Sequence, residues 1–120
     1  MPAYNFQKQF APLVESGLKR QTIRAKGKRR HACPGEALQL YTGQRTPACR
    51  KLLNPDPICT EAQDFVIDES DNIPRIYING ERQNDNDLIA RQDGFENYEQ
   101  MLAWFSKTHG LPFHGVLIKW

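Results

Sequence analysis

Proline and glycine cut this chain into pieces too short for anything but small strands and brief helices. Pro34-Gly35, Pro55 with Pro57, Asn79-Gly80 and Gly110 with Pro112 each mark a turn or a stop. Strand-like runs lie around them: Tyr4-Asn5-Phe6, QTIRA, EALQLYTG, TPACRKLL, ICTEAQDFVIDE, RIYING and FHGVLIKW. In EALQLYTG the period of two puts Leu38, Leu40 and Thr42 on one face and Ala37, Gln39 and Tyr41 on the other. Asn79-Gly80 is a hairpin signal, because both residues tolerate the left-handed backbone that a tight two-residue turn demands.

Two segments carry helical spacing. Phe10, Leu13 and Val14 fall at i, i+3 and i+4, with Pro12 suited to a first turn and Gly17 to an end. Tyr98, Met101, Leu102 and Phe105 continue that period over a helix from Tyr98 to His109, with Asn97 as N-cap and Gln100 completing a capping-box pattern. His109 is expected to cap its C-terminus as a cation. The stretch NDNDLIARQDGF reads as polar and irregular, anchored by Leu88 and Ile89. There is no alternation of strand and helix of the kind that builds a parallel sheet. The expected fold is therefore α+β, a small mixed β-barrel with two short helices, in a single domain over residues 1–120.

Charge is distributed unevenly along the chain. Residues 1–60 hold 11 Lys and Arg against 3 Asp and Glu, and residues 61–120 hold 5 against 11, for a net +2. A basic first half points to a polyanion-facing surface. No apolar run approaches the ~20 residues of a bilayer span, and MPAYNFQKQF lacks the pattern of a secretory leader, so a cytoplasmic location without membrane contact is expected. The three cysteines, Cys33, Cys49 and Cys59, are an odd number and imply reduced thiols. With His31 they lack the paired spacing of a zinc knuckle, so neither a metal nor another cofactor is expected.

The segment GLKRQTIRA carries G-x-K-x-x-T-x-R, which resembles the signature of ASCH domains. PGEALQLYTG is similar to that family's P-G-(D/E)-x-L-x-L strand, QDGFENYEQMLAWF to the (E/D)-G-F segment opening its second helix, and GVLIKW to its last strand. The four matches follow the family's order over nearly the whole chain, and the DGF…W pattern resembles ASCH proteins of phages and prophages. The resemblance implies a PUA-like barrel with RNA or a modified nucleoside as partner. One branch of the family is an amidohydrolase acting on acetylcytidine. Its catalytic Lys, Thr and Glu correspond here to Lys19, Thr22 and Asp93, the last a carboxylate one methylene shorter.

The residues allow such chemistry on physical grounds. In a strand, Thr22 and Arg24 share a face while Ile23 enters the core. Lys19, three residues before Thr22, falls on the same side if the chain makes a last helical turn. A threonine hydroxyl needs a base, and a lysine serves as one only when burial and neighbouring cations such as Arg20 and Arg24 lower its pKa. Asp93 then acts as acid–base partner or orients the leaving group. Beside this site, Lys26, Lys28, Arg29 and Arg30 form a basic loop suited to phosphate. Among Tyr4, Phe6, Tyr41 and Trp120, an aromatic facing the cleft would stack on a base, and Tyr41 is carried forward as a ligand contact. The competing functions are a non-catalytic RNA-binding module, a ribonuclease and an interaction protein of a mobile element.

Overall fold

The computed structural model describes residues 2–120, which form eight strands in two sheets and three short α-helices. The strands are β1 (Ala3–Phe6), β2 (Gln21–Ala25), β3 (Gln39–Thr42), β4 (Arg50–Lys51), β5 (Glu61–Asp68), β6 (Arg75–Ile78), β7 (Glu81–Arg82) and β8 (Phe113–Lys119). The helices are α1 (Ala11–Ser16), α2 (Asn86–Gln92) and α3 (Tyr98–Thr108), with one 3₁₀ turn at Ser70–Asn72. One sheet has the order β1-β3-β4, the other β2-β8-β5-β6-β7. The class is α+β. The described strands do not close into a continuous hydrogen-bonded barrel: β1 and β2 each have one free edge, and an isolated bridge pairs Ala37 with Ile58 outside the strands.

Each element follows from its residues. In β3 and the two residues before it, Leu38 and Leu40 are fully buried and Thr42 nearly so, while Ala37, Gln39 and Tyr41 keep partial exposure, the alternation expected. Asn79 and Gly80 take φ of 51° and 81° at the β6–β7 turn. TPACRKLL yields only the two-residue β4, because most of it winds through bends. Pro12 lies in the first turn of α1 and Gly17 ends it. In α3, Asn97 accepts from the Gln100 N–H at 2.9 Å, but the Gln100 side chain returns to the Glu96 N–H, one residue short of a full capping box.

The expectation of two helices is corrected to three. Asp85 caps α2 through the Leu88 N–H at 3.0 Å. Gly94 closes it with φ +97°: the Gly94 N–H reaches Arg91 O at 3.1 Å and the Phe95 N–H reaches Ala90 O at 2.9 Å, a Schellman end. Only Ile89 and Ala90 are buried, so a narrow apolar face hides the helix from a periodicity reading.

The core has two parts. One gathers Tyr4, Phe6, Phe10, Val14, Leu38 and Leu40, and the other Phe65, Ile67, Ile76, Met101, Phe105 and Leu117. Phe95 and Trp104 pack against both. Gly115 permits the close pairing of β8 with β2, since a Cβ there would stand 2.4 Å from Arg24 O and 2.7 Å from the Phe113 ring. No helix of the described residues is long and apolar enough to cross a membrane.

Candidate functional site

A cleft of about 240 Å³ opens in the seam between β1 and β2, where the two sheets come together without a ladder. It approaches the small end of the usual ~300–1,000 Å³ ligand-pocket range. Lys19, Thr22, Arg24 and Asp93 all line it. Two loci far apart in sequence are thus brought to one place: the segment from the turn after α1 into β2, and the end of α2.

Lys19 is only 3% exposed and Asp93 5%. After Gly17 the chain turns sharply, and the Lys19 N–H bonds to Leu13 O at 3.0 Å, which aims the side chain inward. Its Nζ donates to Asp93 Oδ1 at 3.0 Å and also to the Asp93 carbonyl oxygen. Asp93 presents both acceptors because it caps α2 at the Schellman end. Gly94 is required beside it: a Cβ there would lie 3.0 Å from Phe10 and 3.3 Å from the Lys19 stem, on a backbone that L side chains rarely adopt. Gln21, buried on β2, places its amide nitrogen 3.4 Å from Asp93 Oδ1.

Burial pushes the Lys19 pKa below its ordinary 10.5, with Arg24 acting in the same direction and Asp93 opposing. Burial pushes Asp93 above its ordinary 3.8, against the attraction of Lys19, Gln21 and Arg24. Both shifts favour the uncharged partners, although the contact has the geometry of an ion pair. The 3.0 Å contact serves ammonium–carboxylate and amine–carboxylic acid alike, two forms separated by one proton transfer along a hydrogen bond. A proton so poised is what general acid–base work needs.

Thr22 is 4% exposed and faces the same cleft. Its Oγ accepts from Arg24 Nε at 2.9 Å, leaving its own proton free to be given up. The rest of Arg24 is fixed: Nη2 donates to Asn5 O at 2.9 Å, and the guanidinium carbon lies 4.9 Å from the Phe6 ring centre and 5.1 Å from that of Tyr4. Burial lowers Arg24 to about 10, so it stays charged at neutral pH. The remaining wall is aromatic: Phe6, Phe10, Phe95, Trp104 and Phe105, with His109 among the lining residues.

His109 does cap α3, but burial among Trp104, Phe105 and Phe113, helped by Arg24, holds its pKa below 6.5. The cap is made by its backbone N–H to the Phe105 and Ser106 carbonyls, and the lowered pKa disfavours the cation expected there.

The other expected ligand contacts lie outside this cleft. Arg20 donates from Nε to Trp120 O at 3.2 Å and borders a separate hollow. Lys26 pairs with Asp64, and Arg30 holds Glu36 through two bonds of 2.9 and 2.7 Å. Lys28 is exposed. Arg29 donates to Ala3 O and, with Tyr41, borders a third hollow. Of the four strand aromatics, Tyr4 and Trp120 are buried core residues, and Phe6 is the one that lines the cleft. Cys33 and Cys49 are exposed free thiols and Cys59 a buried one. No group of three His, Cys, Asp or Glu among the described residues has the placement to hold a metal ion.

The sequence reading missed Gln21, Asn5, His109 and the Phe10–Phe95–Trp104 wall. For Gln21 a signal existed, since it stands between Lys19 and Ile23 on the same short segment. No family model, curated protein or solved structure matches the chain.

Proposed function

We propose that this chain is an ASCH domain of PUA-like architecture that removes an acyl group from a modified nucleoside, an acylated cytidine, with Lys19, Thr22 and Asp93 as catalytic residues. The observation that carries the reading is the buried Lys19–Asp93 pair beside a threonine hydroxyl whose oxygen already accepts from Arg24. The architecture is supported by two sheets that share shielding aromatics and meet along a seam bridged by Arg24, as an interrupted small barrel would.

The chemistry follows from the charges. With Lys19 as neutral amine, Nζ takes the Thr22 hydroxyl proton while Oγ bonds to the acyl carbon of the substrate amide. Arg24, donating to Oγ, eases loss of the hydroxyl proton, and the negative charge passes to the acyl oxygen of the tetrahedral species. Collapse of the tetrahedral species breaks the carbon–nitrogen bond. The amino group of the base leaves with a proton from the Lys19–Asp93 pair. Water then attacks the acyl–threonine ester, releasing the carboxylic acid and restoring the hydroxyl. The aromatic wall gives a flat base a stacking surface and keeps water from the buried pair.

The basic loop gives less support to a non-catalytic RNA binder, because Lys26 and Arg30 are already held by carboxylates. Mass-spectrometric turnover of acetylcytidine and a panel of acylated nucleosides tests the proposal. Free amine-form nucleoside is expected with the native chain, and release of it is expected to fall by orders of magnitude, about 10²–10⁴-fold, with Thr22→Val. Absence of turnover across the panel, or equal turnover by the variant, overturns it.

A further inference from the structure

The third hollow, on the outer side of the β1–β3 sheet, holds charge that the fold has not spent. It encloses about 600 Å³ and is bordered chiefly by Arg29, Arg45, Gln39, Tyr41 and Gln44, with no carboxylate among its lining residues. Its surroundings make this notable. Lys26, Arg30, Arg50 and Lys51 each engage an acidic partner: Asp64, Glu36, Glu15 and Asp56 respectively. Arg29 and Arg45 have no ion pair among the described residues, and both border this hollow.

The Arg29 side chain is positioned, and Arg45 stands on a held turn. The Arg29 guanidinium lies 5.0 Å from the Tyr4 ring centre and donates to Ala3 O, which orients its plane and leaves other N–H groups available. Arg45 sits in a turn held by the Thr46 hydroxyl on Gly43 O at 2.6 Å and by the Gln44 N–H on Asn5 Oδ1 at 2.9 Å. Two guanidinium forks around one concavity, with amide and phenol donors beside them, suit a phosphate group.

Asn5 of β1 touches groups of both the hollow and the cleft. Asn5 lines the cleft and gives its carbonyl to Arg24, while its side chain holds the Gln44 N–H at the edge of the hollow. Tyr4 likewise lies under Arg24 and Arg29. A ligand seated in the cleft therefore has a cationic hollow next to it.

We propose that Arg29 and Arg45 form a phosphate subsite for the ligand of the cleft, so that the substrate is a phosphorylated acyl-nucleoside, either a nucleotide or a residue of a strand, in preference to the free nucleoside. This rests on the reading of the cleft as a nucleoside site and adds what is attached to that nucleoside.

Calorimetric titration tests it. The Thr22→Val chain, which holds the ligand unturned, is titrated with acetylcytidine, its 5′-monophosphate, a dinucleotide containing it, and ribose 5-phosphate. The same set is repeated with Arg45→Ala added, and with Arg45→Lys. The phosphorylated ligands are expected to bind about tenfold or more tighter than the nucleoside, the worth of a charge-assisted contact. Arg45→Ala should erase that difference and Arg45→Lys restore part of it. Monophosphate and dinucleotide gaining equally assigns a nucleotide; a gain confined to the dinucleotide assigns a strand. Equal affinity for nucleoside and phosphorylated forms overturns the subsite and leaves the cleft reading standing. Arg45-dependent binding of ribose 5-phosphate without binding of acetylcytidine upholds the subsite and overturns the cleft reading. No binding of any ligand overturns both.

Discussion

The cations of the cleft and those of the loop at 26–30 are chemically alike and physically opposite. Lys19 is sealed from water beside one carboxylate, and Arg24 is mostly buried between aromatic rings. Lys26 and Arg30 keep more than half of their side chains in solvent and pair there with Asp64 and Glu36. Water screens the loop, so its pairs change little when a proton or ligand arrives. In the cleft desolvation is the largest influence on Lys19, Arg24 and Asp93, which makes small movements of charge consequential. In sequence the loop is the denser run of positive charge, yet the sparser pair is the one held in a desolvated cleft.

Substitutions in the two regions should differ in effect, and the largest belongs to the cleft. Thr22→Val is expected to reduce turnover of an acylated nucleoside by about 10²–10⁴-fold, the usual weight of a proton-transfer step and its nucleophile. A smaller loss, measured by product mass, would place the chemistry elsewhere. Next, Lys19→Met should cost about 3–5 kcal/mol in urea denaturation, because it strands a buried carboxylate. Replacing both partners, Lys19→Met with Asp93→Leu, should recover most of that stability. Failure of the double variant to recover would mean that the pair does not behave as a coupled buried unit.

The pH profile offers a finer test. Turnover needs the neutral amine, so it rises with pH through the Lys19 pKa, which burial holds below 10.5. Asp93 pulls that pKa upward, so in the residual activity of Asp93→Asn the rising limb should move to lower pH, by about one unit or more. A limb that stays in place would show that Lys19 is not the group being titrated. The smallest effect is expected in the loop. Lys26→Ala combined with Arg30→Ala should leave the urea midpoint unchanged within error, and a clear destabilisation would erase the contrast between the two regions.

What could be read in advance follows the same division. Local patterns were legible: the alternation of β3, the caps of α3, the hairpin at Asn79-Gly80 and the placing of Lys19, Thr22 and Arg24 on one short segment. α2 was not, since seven residues with two buried positions give periodicity nothing to register, although Asp85 and Gly94 bracket it as cap and stop. The pairing of Lys19 with Asp93 spans 74 positions and depends on where α2 ends. The resemblance named both residues but not their contact. The partners of the loop were hidden for a related reason, because Asp64 lies 38 residues from the lysine it pairs with.

The seam between the sheets carries a consequence for how the molecule keeps to itself. The carbonyls of Ala3 and Asn5, two residues apart and so on the same side of β1, accept from the guanidinium groups of Arg29 and Arg24. Two side chains thus stand where a neighbouring strand would be. An uncovered strand edge invites another chain to extend the sheet, and folded proteins protect such edges with charge. Arg24 of the cleft and Arg29 of the third hollow are thus also the guard on this edge, so replacing either one uncovers a strand edge as well as altering the hollow it lines.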